Sequence, residues 1–243
     1  MVVRMKGRTV IDSGLNEETI LWRYLDTAKF LDLLTNQNLY LCRADRFSDK
    51  HEGSFTQSIR HAIEKSYEDS EIDFSYNDFK DKLRRGVYVN CWHKSRNDSM
   101  AMWKLYGQSN CAVAVTTTVG KLKKALDSEK LNAFLSIKKV DYVKHWRDPS
   151  LKIKPYSNVF AYKVVAYEYE KEVRVIADKF DDNFDNAEPS SGLLVKTPIN
   201  EVLRSIVISP EAPQWYVQLI EDTVTKYGIR IPVRRSKLAF EPI

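Results

Sequence analysis

The chain has 243 residues, with 38 Lys/Arg against 33 Asp/Glu for a formal charge of +5, and 43% hydrophobic and 29% charged residues. These proportions exclude a disordered chain, and 8 Gly and 8 Pro leave little material for long linkers. No run approaches the ~18 apolar residues of a membrane-crossing helix, and residues 1–14 (MVVRMKGRTVIDSG) lack the apolar core of a secretory signal.

Three scattered cysteines, Cys42, Cys91 and Cys111, suit reduced thiols better than a disulfide framework. A cytoplasmic protein with no membrane partner is expected. The charge is unevenly spread. Residues 121–154 carry ten Lys/Arg against four acids, a net +6, and residues 64–81 carry seven acids against two lysines, a net −5. The basic stretch is a candidate nucleic-acid surface, set against the plainer reading of a solvated face.

Residues 1–20 are polar and unpatterned and read as a loosely ordered lead-in to a single domain over 21–243. TILWRYL (19–25) reads as a short strand or extended entry, and Asp26 as the N-cap of a helix expected to bury Phe30, Leu31, Leu33 and Leu34. LYLCR (39–43) is a strand and DRFSDKHEG (45–53) a loop dense in charges. A charged helical stretch runs from 54 to about 85, and GVYVNCW (86–92) returns to a strand. Ser99 or Asp98 caps a short helix carrying Met102, Trp103 and Tyr106, with Gly107 as its C′ residue.

CAVAVTTT (111–118) is a strand, followed by a helix over 119–126, a strand over 133–143 and a basic loop over 144–158. Residues 158–178 read as mostly extended, with a helical turn near 160, and an acidic loop spans 181–188. A short helix over 199–204, a strand over 205–209, a helix entered at Pro213 and a strand over 228–236 complete the chain. The fold class expected is α+β, a mixed, mostly antiparallel twisted sheet flanked by helices.

Two segments carry candidate chemistry. In YEYEKEVRV (167–175), strand alternation puts Glu168, Glu170, Glu172 and Arg174 on one side. Three carboxylates in a row need cations, solvent or a ligand to offset their repulsion. They form either an exposed strand paired with lysines or a Glu-x-Glu edge suited to gripping a ribose hydroxyl. In CWHKSRNDSMAMWKLYG (91–107), Trp92, Trp103 and Tyr106 could wall a nicotinamide or a base. They could equally anchor a core, as Ser95 could bind a ligand or shape its turn. Arg23, in LWRYL, is a candidate bidentate anion holder. Asp45, Asp49, His51 and Glu52 match no dedicated metal site, and no metal is expected. The fingerprints of nucleotide-phosphate loops, dinucleotide-binding turns, zinc proteases and serine hydrolases are missing.

The order W-R-Y, LYLCRADRFSDKHEG, CWHKSRNDSMAMWKLYG, a lysine-bearing strand ending YEYEKEVRV, and IVISPEAP resembles the domain-of-unknown-function family numbered 2971 of bacteria and their mobile elements. The similarity spans roughly residues 22–236. The acidic loop departs from the family's Asn-Asp-Pro-Phe-Glu-like form, keeping Asp49 and Glu52. The layout also looks like a distant relative of ADP-ribosyltransferases. That resemblance implies an NAD-using enzyme of a defence or toxin system, with Glu172 and Glu170 catalytic and Arg23 catalytic and cofactor-binding. Ser95, Trp103 and Tyr106 would complete the NAD site. A nucleic-acid-binding or nuclease-type defence component and a non-catalytic protein-interaction module are the alternatives.

Overall fold

The computed structural model describes residues 8–47, 52–69, 75–129, 131–143, 155–180 and 190–240. In chain order the elements are β1 (Val10–Ile11), β2 (Ile20–Asp26), α1 (Thr27–Asn36), β3 (Asn38–Arg43), α2 (Gln57–Glu68), α3 (Tyr76–Gly86), β4 (Val87–Lys94) and α4 (Met100–Tyr106). They continue as β5 (Ala112–Thr118), α5 (Val119–Ser128), β6 (Phe134–Lys139), β7 (Asp141–Val143), β8 (Tyr162–Val164), β9 (Glu172–Asp178), β10 (Gly192–Lys196), α6 (Ile199–Val202), β11 (Ser205–Ile208), α7 (Gln214–Lys226) and β12 (Val233–Arg235). This is the α+β class expected, a mixed, mostly antiparallel sheet flanked by helices.

The chain divides into two compact units, each drawn from three separate stretches: residues 1–12, 40–90 and 130–194, and residues 13–39, 91–129 and 195–243. Because the stretches interleave, no composition break along the chain marks a boundary.

In the first unit the sheet is built on β9, every residue of which is buried. It runs antiparallel to β6 with Ile137 opposite Val175 and Lys138 opposite Arg174. β6 takes β1 as a parallel neighbour, through Val10 and Ser136. Arg43 and Cys42 of β3 face Tyr88 and Val89 of β4, and β10 pairs with β3. A capping box closes the start of α3: Ser75 Oγ accepts from the Asp78 amide while the Asp78 carboxylate accepts from the Ser75 amide. Tyr156 packs edge to face on Phe55 and Phe79, as Phe55 does on Tyr76 and Phe79 on Phe180, an arrangement aromatic quadrupoles favour.

In the second unit, β2 lies antiparallel to β5 along its whole length, from Ile20 opposite Thr118 to Asp26 opposite Ala112. β11 flanks β5 antiparallel, and β12 flanks β11 in parallel. Asp26 caps α1 as expected, accepting from the Lys29 amide at 2.8 Å. The closing strand is shorter than its alternation suggests. Only Val233–Arg235 pair, since Pro232 has no N–H to give and instead accepts from Ile206 through its carbonyl.

Gly107 does not take the left-handed position expected of it: its φ is −72°, and Gln108 adopts φ 60° instead. Glycine is required there for space, because a Cβ would sit 2.6 Å from the Trp103 carbonyl oxygen.

Candidate functional site

The Glu-x-Glu segment is not one strand. Val165–Glu170 forms a 3-10 turn closed by Lys171 at φ 43°, whose amide donates to the Glu168 carbonyl. β9 begins only at Glu172. The left-handed residue breaks the two-residue period, so Glu168 is exposed on the turn and leaves the row of acids expected on one face. Glu170 and Glu172 nevertheless end up together, brought there by the turn in place of strand alternation.

Neither pairs with solvent. Glu170 is 3% and Glu172 7% exposed, as are their cationic partners Lys163 at 7% and Arg174 at 1%. The expectation of an exposed strand balanced by neighbouring lysines is therefore replaced by a buried cluster. Lys163, from β8, donates to both acids: Nζ reaches Glu170 Oε2 in a short contact and Glu172 Oε1 at 3.2 Å. The Tyr167 ring covers that ammonium, with Nζ 4.4 Å from its centroid. Arg174 donates through Nε to Glu172 Oε2 at 2.5 Å. Its two terminal nitrogens hold Glu52, itself 5% exposed, at 2.8 and 2.7 Å, and one also reaches the Phe160 carbonyl at 2.7 Å. The Glu172 amide donates to Tyr142 Oη at 2.8 Å.

Three carboxylates against two cations leave the cluster at −1 if every group is ionised. Burial alone would push Glu172 towards the neutral form, but Arg174 and Lys163, with hydrogen bonds from Glu170 and Arg174, hold its carboxyl well below the usual carboxylate range. Burial lowers the Lys163 ammonium, and the adjacent Glu172 and Glu170 more than reverse that, so it stays charged. Burial, aided by the same two acids, raises the Tyr142 phenol to about 12 against the donated Glu172 amide. The arrangement sets a carboxylate held negative, Glu172, beside a second buried carboxyl group, Glu170, and two neighbouring carboxyl groups are a pair that general acid–base chemistry can use.

The other predicted residues lie in the second unit. Arg23 is half-buried on β2 opposite Val115, on the side of Leu21 and Leu25. Trp22 and Tyr24 point the other way, into a core with Met102, Trp103, Ala112, Ala114 and Val207. Arg23 and Trp103 therefore occupy opposite faces of the strand and are not brought together. Burial lowers the Arg23 guanidinium pKa, partly offset by Cys91, and among the described residues no carboxylate pairs with it.

Trp103 stands edge-on to Tyr24 at 4.9 Å and donates to Asp98 at 3.4 Å, so it anchors the core. It also touches a pocket of about 180 Å³ rimmed by Lys104 and Glu211, which pair at 2.5 Å. Tyr106 is 40% exposed. The Ser95 carbonyl accepts from the Trp22 indole at 3.0 Å and its hydroxyl from the Asn97 amide at 3.2 Å, so both its polar groups shape the local turn.

Glu52, Lys163 and Tyr142 were not singled out as site residues from the sequence. Two signals were available: Glu52 is the acid retained at the end of the 45–53 loop, and Lys163 marks the lysine-bearing strand before the glutamates. Asp45 pairs with Arg43 at 2.7 Å, while Asp49 and His51 lie outside the described residues. Among the described residues no group of three or more metal-ligating side chains converges, and no helix is long and apolar enough to cross a membrane. In the basic stretch, residues 130 and 144–154 lie outside the described residues. Lys123 pairs with Asp127, Lys121 with the Glu201 carbonyl and Lys138 with Asn158.

No family model and no curated protein matches the chain. Two solved structures are similar to it, both of DarT from Thermus sp. 2.9. The complex with ADP-ribosylated ssDNA is 9% identical, with a TM-score of 0.42 over 96% of this chain and 98% of that one. The complex with NAD+ is 9% identical, with a TM-score of 0.43 over 93% and 100%. Likeness of this degree carries no weight for activity or ligand.

Proposed function

We propose that this chain is an NAD-using, ADP-ribosyltransferase-like enzyme whose chemistry is centred on Glu172 and Glu170. The observation that carries the reading is the pairing of these two carboxyl groups, held by Lys163 and Arg174. In this reading the Glu172 carboxylate grips a ribose hydroxyl and stabilises the positive charge that builds on the ribose as its C1′–nitrogen bond breaks. The bonding pair leaves with nicotinamide. The acceptor then forms the new bond at C1′, oriented by Glu170, and releases its proton to solvent. Because both carboxyl groups lie under the Val165–Glu170 turn, the reading requires that turn to shift when NAD enters. Arg23, lacking an acidic partner among the described residues, is an anion holder in its own unit.

A thermal-shift titration with NAD+ tests ligand class directly. A ligand bound only by the folded state adds about 2.7 kcal/mol of stability at a hundredfold excess over its dissociation constant. We expect the melting temperature to rise with NAD+ in the wild type and the response to change in Glu172→Gln. No shift at millimolar NAD+ overturns the reading, and nucleic acids then become the ligands to test, with binding that weakens steeply as salt rises.

A further inference from the structure

Arg174 is a strange residue to find on a fully buried strand. Its cost there is offset only by the groups around it, and its three nitrogens all donate to acceptors in fixed directions. Nε aims at Glu172. The two terminal nitrogens aim at Glu52, in the fork-to-fork geometry that fixes a guanidinium in its own plane. The Phe47 ring lies against the same group at 6.0 Å. Glu172, in turn, has one oxygen set by Arg174 and the other by Lys163. Removing Glu52 would leave Arg174 with Glu172 and the Phe160 carbonyl among the contacts above and would take away the two-point hold that fixes the plane of the guanidinium.

From this chain of contacts we infer that Glu52 is a positioning residue for Glu172, acting through Arg174 and touching no substrate. The inference rests on the NAD reading above and deepens it by adding a residue from the loop that precedes α2. It also explains why an acid at the end of a charged loop is buried: its partner lies 122 residues away in sequence, on β9.

The experiment compares wild type, Glu52→Gln and Glu52→Asp in steady-state nicotinamide release from NAD+, with folded protein quantified by circular dichroism. Glutamine keeps the shape and loses the charge; aspartate keeps the charge and shortens the reach. We expect Glu52→Gln to lower kcat on the order of a hundredfold, as misplacement of a reacting group does, with KM for NAD+ unchanged. Glu52→Asp should retain more activity than Glu52→Gln.

A second readout separates positioning from loss of folded protein. With Glu52 neutral, Glu172 meets less negative charge and takes up a proton less readily, so the acid limb of kcat moves to lower pH. A smaller amount of folded enzyme would not move that limb. If Glu52→Gln does not fold, Glu52→Asp is compared by kcat per folded molecule alone, because it keeps the charge and leaves the limb in place. Full kcat with an unmoved limb in folded Glu52→Gln, or full kcat in Glu52→Asp where Glu52→Gln does not fold, overturns the inference while leaving the NAD reading intact. No release by the wild type overturns both.

Discussion

Glu52 and Arg174, 122 residues apart in sequence, meet through two hydrogen bonds of 2.8 and 2.7 Å, and both side chains are buried. Breaking a buried ion pair from one side costs about 3–5 kcal/mol, because the surviving charge is left without a partner. Arg174→Met should therefore lower the urea midpoint strongly. Adding Glu52→Gln to it should recover part of the loss by removing the stranded carboxylate. If the double variant loses the sum of the two single effects, the pair is not coupled.

Arg23 provides the contrast. It is a partly desolvated guanidinium with no acidic partner among the described residues, so its replacement strands nothing. Arg23→Met should leave the melting temperature unchanged or raise it, where Arg174→Met lowers it. A large loss in Arg23→Met would mean that a carboxylate pairs with it after all.

Stability should depend on pH through Glu172 and Lys163 with opposite signs. The folded pKa of Glu172 is depressed, so its contribution is complete above the ordinary value of about 4.3 and is lost as the pH falls below it. The folded pKa of Lys163 is raised, so its contribution is complete below about 10.4 and is lost as the pH climbs above that value. Urea unfolding across pH should show both limbs. Lys163→Met should flatten the alkaline one; an unchanged alkaline limb in that variant assigns it to other groups.

Lys171 holds φ 43°, a left-handed position that costs a side-chain-bearing residue about 1–2 kcal/mol. Lys171→Gly should be neutral or stabilising, and Lys171→Val destabilising, as read by melting temperature. Equal melting temperatures for the two variants would show that the turn is not held in that conformation.

Trp103 fills the core beside Tyr24, and large-to-small changes at such sites cost about 3–5 kcal/mol. Trp103→Ala should lose that much, while Trp103→Phe should lose less, giving up mainly the indole bond to Asp98. An unaffected Trp103→Ala would return the ring to the list of ligand walls.

Local signals in the sequence carried well. Asp26 before an apolar period, the uninterrupted β-rich run of β5 and Pro213 ahead of α7 each specify their element with short-range chemistry. The turn at 165–170 was hidden because lysine is not a residue that announces a left-handed position, and because YEYEKEVRV alternates like a strand. The carboxylate pair and Arg174 beside it were legible; the burial of the cluster and the parts played by Glu52 and Lys163 were not, since Glu52 reaches Arg174 across 122 residues and Lys163 comes from a different strand. Trp103 and Ser95 illustrate a different limit: a core anchor and a ligand wall use the same ring, and a turn and a binding site use the same hydroxyl.

The central claim, that Glu172 drives cleavage of NAD, is tested most directly by nicotinamide release from NAD+ measured for wild type and Glu172→Gln under the same conditions. Glu172 sits inside the ion cluster, so Glu172→Gln should also lose stability, and release is compared per folded molecule. The expected result is steady release by the wild type and none above background from the folded variant. Equal release by the two would contradict the claim and leave the cluster as an element of the fold alone.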